Sequence, residues 1–186
     1  YTIFSENVSS TLNLNDLETV EYVFIALPSQ EIRQVLTDYT ISNNKQQIII
    51  ASKGIEVETG FFLSQVVKEV VNTERINVLS GPCFSEEILQ NLPTAATLVS
   101  PTRNIFENIK KLFNNNNLRL YFSSDYIGSQ LGGAIKNVYA IATGITNGLN
   151  LGENAKSALI SRCFAEIIRL GAVLGANINT LFGRLY

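Results

Sequence analysis

The tightest constraint on this chain is an alternation that runs for two-thirds of its length and then stops. As far as Phe122, short runs of β-branched and aliphatic residues trade places with segments whose apolar residues recur at helical spacing. Residues 22–27, 47–51, 76–79, 95–99 and 118–122 read as five strands, each almost continuous in apolar side chains. Residues 31–39, 58–71 and 101–113 read as helices between them, the second with Phe62, Val66, Val67, Val70 and Val71 on one face. Residues 114–117, four asparagines in a row, read as a surface turn. Strands with no polar alternation, separated by helices, imply a largely parallel sheet covered on both faces. After Ser123 no strand signal returns. Two long helices are expected instead, over 125–147 and 154–174, with 150–153 as the turn and Asn154 as the second N-cap. The expected architecture is α/β over residues 1–122, followed by an all-α unit over 123–186.

Composition removes several classes of function. A formal net charge of −2 and the lack of any dense cluster of Lys and Arg argue against a nucleic-acid surface or an anionic-membrane surface. No apolar run reaches the length of roughly 20 residues that a membrane span needs. With no His and only Cys83 and Cys163, the chain offers no histidine-based hydrolase triad, no metal site and no disulfide framework. A cytoplasmic location is expected. The Gly-x-Gly-x-x-Gly loop that opens a dinucleotide-binding unit is absent, and the chain begins in mid-pattern.

Three places stand out for chemistry. Lys136 is the only charged residue between Tyr126 and Gly152, and it sits among glycines and aliphatic side chains. Burying a solitary ammonium there is costly unless it has a partner or a task; a lysine whose stem snorkels to solvent is the plain alternative. Its neighbour Asn137 adds a neutral donor and acceptor. An apolar seam of Leu131, Ile135, Val138, Ala142, Ile145 and Leu149 runs along the same helix. Lys53 follows a buried strand directly, so it should emerge at the carboxyl edge of the sheet, where open α/β folds bind ligands. Gly81, Cys83 and Ser85 lie in a strand-to-helix turn whose free N–H groups would suit a phosphate or another polar ligand. With no His as a base, Cys83 reads as a small polar contact rather than a nucleophile.

The segments ASKGIE at 51–56, LSGPCFSEE at 79–87 and LPTA at 92–95 resemble those of the bacterial-type NAD(P)-dependent glycerol-3-phosphate dehydrogenases. So do GSQLGGAIKNVYAIA at 128–142 and GLNLGENAKSALISRCFAE at 148–166, in matching order. The resemblance implies a partial Rossmann-type domain over 1–122, with its first βαβ unit missing. Residues 123–186 would start a helical substrate domain of the 6-phosphogluconate dehydrogenase C-terminal type. It further implies NAD or NADP as cofactor and reversible reduction of dihydroxyacetone phosphate to sn-glycerol 3-phosphate, supplying phospholipid synthesis. By that resemblance Lys136 is the catalytic proton donor in reduction, and Lys53 touches both cofactor and substrate. Gly81, Cys83, Lys136 and Asn137 match substrate-contact positions, and Ser85 a cofactor contact. The family usually carries Thr or Ser at position 83 and Ala at position 85. Pieces are expected to be missing at both ends, so this polypeptide alone is expected not to turn over. Two other readings stay open: a ketopantoate or hydroxy-acid reductase of the same architecture, and an inactive structural or homodimerising module.

Overall fold

A computed structural model describes residues 7–39, 45–83, 85–113 and 117–183. Five strands form one sheet in sequence order: β1 (Tyr22–Ile25), β2 (Gln47–Ile50), β3 (Ile76–Ser80), β4 (Thr94–Val99) and β5 (Leu118–Ser123). Between them lie α1 (Ile32–Leu36), α2 (Leu63–Val71), α3 (Ser85–Leu89) and α4 (Arg103–Lys110). The long helices α5 (Tyr126–Gly148) and α6 (Gly152–Leu174) follow, then the short α7 (Ile178–Gly183).

The apolar strands feed two cores because successive side chains point to opposite faces. Ile48 and Ile50 pack beneath α1 and α2 with Ile32, Leu36, Val66 and Val67, whereas Ile49 turns to the other face with Leu98, Phe106 and Ile109. All three isoleucines are fully buried, each worth about 1.5–3 kcal/mol of transfer free energy. Both faces of the sheet are therefore covered, as continuous apolar strands require. A third cluster joins Phe62 at the head of α2 to Leu131, Ile167 and Leu181 of the helical part.

The β3–β4 pair is antiparallel, while the other three pairs are parallel. The connection between these strands, residues 81–93, is 13 residues long and the shortest between consecutive strands, against 21 between the parallel β1 and β2. A parallel crossover takes a dozen residues or more, so this connection is at the lower limit. The chain is not carried back to the starting edge and re-enters the sheet from the edge it has just left. β4 and β5 consequently run against β1–β3, and β5 ends at the far edge. The helix after β5 then has to travel back along the sheet. Tyr126 Oη donates to the carbonyl of Ile76 at the start of β3 (2.6 Å), and Ser80 Oγ at its end donates to the carbonyl of Ser129 (2.9 Å). α5 climbs beside β3 and carries its later residues past the strand's carboxyl end.

Three expectations are adjusted. α6 begins at Gly152 and not after Asn154; Asn150 at φ 53° and Gly152 at φ 85° make a tight turn that closes two residues early. α7 follows as a separate helix, its entry fixed by Asp125, whose carboxylate accepts from the N–H of Gly128 and of Asn177 (both 2.9 Å). The apolar seam on α5 is buried only at Leu131: Val138, Ile145 and Leu149 are 61%, 56% and 64% exposed. Among the described residues α6 packs along α5, and these exposed side chains leave part of the helix surface open. Residues 114–116 of the expected asparagine turn fall outside the described residues.

Candidate functional site

Lys53 emerges beyond the carboxyl end of β2 on a loop held from several sides. Ser52 Oγ donates to the carbonyl of Leu27 (2.5 Å), and the loop closes on itself through the Ile55–Phe62 bridge and the Glu56 N–H to Phe61 carbonyl bond (3.0 Å). Gln30 of the β1–α1 turn donates to the carbonyl of Ile55 and accepts from the N–H of Val57 (2.9 and 3.0 Å). Gly54 takes φ +144°, a conformation L side chains rarely adopt, and a Cβ there would stand 2.7 Å from Ser29 Oγ.

The strongest brace is ionic. Glu56 is buried and accepts two bonds from Arg33 of α1 (2.8 and 2.9 Å) and one from Thr59 Oγ1 (2.5 Å). Arg33 also reaches Glu69 of α2. The Arg33 guanidinium first, then the Thr59 hydroxyl, holds the Glu56 carboxyl below the usual carboxylate range. A depressed folded-state pKa contributes stability that is complete above the unfolded value, about 4.3, and is lost as pH falls through the folded one. Glu56→Gln is therefore expected to flatten the fall in stability below about pH 4.3. Urea melts at a series of acidic pH values check this, and acid limbs of equal slope in parent and variant would contradict it.

From this loop the half-buried Lys53 side chain runs beneath α5. Its ammonium donates to the carbonyl of Gly81 at 2.8 Å, and its Cγ and Cδ lie 3.7 and 3.9 Å from where a Cβ on Gly133 would be. That Cβ would also stand 3.1 Å from Ser80 Oγ. Gly133 thus leaves the slot through which Lys53 reaches the end of β3. A small cavity with room for about one water is lined by Ser52, Lys53, Ser80, Gln130 and Gly133, and none of its lining residues is acidic.

Lys136 sits one helical turn beyond Gly133, half-buried. Burial first, then the like charge of Lys136, pushes the Lys53 ammonium below the usual lysine range. Cys83 joins the group: its Sγ lies 3.5 Å from the carbonyl of Ala95, and burial raises its thiol while Lys53 and Lys136 act in the opposite sense. A thiol raised in this way is not activated as a thiolate nucleophile. Lys53, Gly81, Cys83 and Lys136 are therefore brought together. Ser85, at the start of α3, and Asn137, about 100° around α5 from Lys136, are both exposed and lie outside this contact group. Ser80, Gln130 and Gly133, which the sequence reading did not single out for the site, line it. The one available hint was a polar Gln130 among small and apolar residues.

The arrangement suits an anionic ligand with a polarisable oxygen: two ammonium groups, a free strand edge and small residues that allow close approach. An adenine dinucleotide fits this edge in chemical terms, since the carboxyl ends of parallel strands form the usual crevice and Lys53 supplies a cation there. Among the described residues no group of three or more His, Cys, Asp or Glu could hold a metal ion, and no helix is long and apolar enough to cross a membrane.

Residues 2–106 match the family described as NAD-dependent glycerol-3-phosphate dehydrogenase N-terminus, and residues 125–186 match its C-terminus. A glycerol-3-phosphate dehydrogenase [NAD(P)+] of Erythrobacter litoralis is 40% identical over 179 residues, covering 96% of this chain and 54% of the relative. One from Zymomonas mobilis is 41% identical over 181 residues, covering 97% and 53%. The crystal structure of glycerol-3-phosphate dehydrogenase from Coxiella burnetii superimposes with a TM-score of 0.85 at 35% identity, over 92% of this chain and 53% of that one. The chain spans about half the length of the curated relatives it matches.

Proposed function

Because the chain belongs to the NAD-dependent glycerol-3-phosphate dehydrogenase family, we propose that it contributes the catalytic lysine and the strand-edge ligand contacts for reducing dihydroxyacetone phosphate to sn-glycerol 3-phosphate. The observation that carries this reading is the grouping of two ammonium ions, Lys53 and Lys136, over the carboxyl ends of β2 and β3. The nicotinamide cofactor, in its reduced form NADH or NADPH, would supply the hydride when bound and leave as NAD+ or NADP+. As the carbonyl carbon at C2 is reduced, its oxygen gains alkoxide character. Lys136 stabilises that charge and delivers the proton. Lys53, fixed by Gly81, orients cofactor and substrate. Gly81, Cys83 and Asn137 are further substrate contacts, and Ser85 is the proposed cofactor contact. On this reading residues 1–122 form the dinucleotide-binding part and 123–186 the beginning of the substrate domain; the product feeds phospholipid synthesis in the cytoplasm. A homodimer through the open face of α5 is the assembly to test by light scattering.

The activity is best tested in a chimera in which this chain replaces the matching segment of the Erythrobacter litoralis relative. The chimera is expected to consume reduced nicotinamide with dihydroxyacetone phosphate and to leave ketopantoate untouched. A folded chimera that prefers ketopantoate, or reduces neither, overturns the proposal.

A further inference from the structure

We propose that Gln130 is a positioning residue, which sets Lys136 against Lys53 by tying the helix that carries one to the segment that follows the loop carrying the other. The inference rests on the reading of these two lysines as the working pair.

Gln130 is buried, at 8% exposure, and its carboxamide uses both donors and accepts one bond. Its Nε2 donates to Ser64 Oγ (2.8 Å) and to the carbonyl of Tyr126 (2.9 Å), and its Oε1 accepts from the N–H of Ser64 (2.9 Å). Ser64 is the second residue of α2, and its N–H is one of the donors that a helix start leaves without an intrahelical partner. Phe62, at the N-cap position, has no side-chain oxygen with which to satisfy it. A residue 66 positions away does so instead. The same side chain therefore caps α2 and fastens it to the first turn of α5.

The loop from Lys53 leads directly into α2 and is closed on itself at Ile55 and Phe62, so holding Ser64 also holds Lys53. Gln130 lines the small cavity together with Lys53, Ser80 and Gly133, which puts it at the junction it governs. On α5 the continuous buried stretch covers only residues 128–132. Lys136 lies about 9 Å further along the axis from Gln130, at 1.5 Å per residue. Its placement depends on how the first two turns are clamped and on the packing of Ile135 and Tyr139 against the cluster that holds Ile167 of α6. Two bonds to Ser64 from one amide contribute to that clamp, beside the Ser80–Ser129 and Tyr126–Ile76 contacts, while the bond to Tyr126, within α5, fixes the amide's orientation. A displacement of about 1 Å at such a site costs on the order of 10²-fold in rate.

The test uses this chain itself and needs no turnover. Lysines are tagged by reductive methylation with carbon-13, the Lys53 signal is assigned with Lys53→Arg, and its titration is followed by NMR with and without Lys136→Gln. In the parent, removing the like charge is expected to move the Lys53 midpoint upward; because Cys83 faces both lysines, every arm carries Cys83→Ser so that its thiol does not contribute. In Gln130→Met, which keeps the volume and loses all three bonds, the effect of Lys136→Gln on Lys53 is expected to be lost. A residue that only added stability would lower the melting temperature and leave this coupling intact. Should Gln130→Met not fold by circular dichroism, Gln130→Asn, one methylene too short to reach Ser64, reads the same coupling. An undiminished coupling in the folded variant overturns the role of Gln130 and spares the proposed function. If Lys136→Gln leaves Lys53 unmoved in the parent as well, the pairing is wrong, and both the function and this inference fall.

Discussion

Replacing Lys136 with Ala in the active chimera is expected to lower kcat for dihydroxyacetone phosphate reduction by about 10²–10⁴-fold, the usual worth of a positioned proton donor. The larger end is favoured because one group does two tasks. It stabilises charge that appears on the C2 oxygen only in the transition state, and it supplies the proton that completes the alcohol. An interaction made only in the transition state reduces kcat and kcat/KM together, so KM should change little. Lys136→Arg is not expected to rescue. A guanidinium keeps the charge, yet it does not give up a proton at accessible pH. Steady-state kinetics at saturating cofactor, with circular dichroism to verify folding, measures this. A Lys136→Ala chimera within tenfold of the parent would remove the lysine from the chemistry.

For Lys53 the expected signature is different. Lys53→Met keeps a stem that can pack under Gly133 and removes the ammonium that bonds the Gly81 carbonyl. A hydrogen bond to a charged group is worth about 1.5–3 kcal/mol. KM for dihydroxyacetone phosphate should rise roughly 10–100-fold, and cofactor affinity should weaken in the same variant, because the residue is proposed to face both ligands. The pH dependence has a definite sign. Burial and Lys136 lower the folded pKa of Lys53, so its charge is lost at a lower pH than for an ordinary lysine. KM for the anionic substrate should therefore rise on the alkaline side in the parent and stay flatter in Lys53→Met. A parent whose KM is level across that range, or a variant with unchanged KM, would remove Lys53 from the substrate contacts.

Much of this was legible from residue pattern alone. The five apolar runs became five strands, displaced by at most two residues at their ends, because a strand buried on both faces has no polar alternation to blur it. α5 was legible to within one residue at each end from its long run of small and apolar residues, and the structure shows Asp125 capping its start. α1 was read too long: the apolar Tyr39 is buried, but it lies beyond the helix end at Leu36. The start of α6 was misplaced because its turn uses backbone at positive φ instead of a capping side chain. For the site, Lys136 and Lys53 stood out as charges in apolar or strand-end settings, whereas Gln130 did not. Its importance lies in a partner 66 residues away, and no local pattern encodes that distance.

The order of residues by itself determined which segments become strands, where the long helices run and where two exceptional ammonium groups lie along the chain. The tertiary structure alone decided that those groups meet. The 13-residue connection after β3, the shortest between strands, does not return the chain across the sheet, so β4 enters against β3, β5 ends at the far edge, and α5 has to run back along β3. That single reversal carries Lys136 to the carboxyl edge where Lys53 already waits. The physical reason is geometric: helical periodicity is written within a few residues, whereas strand direction depends on whether a whole connection spans the sheet.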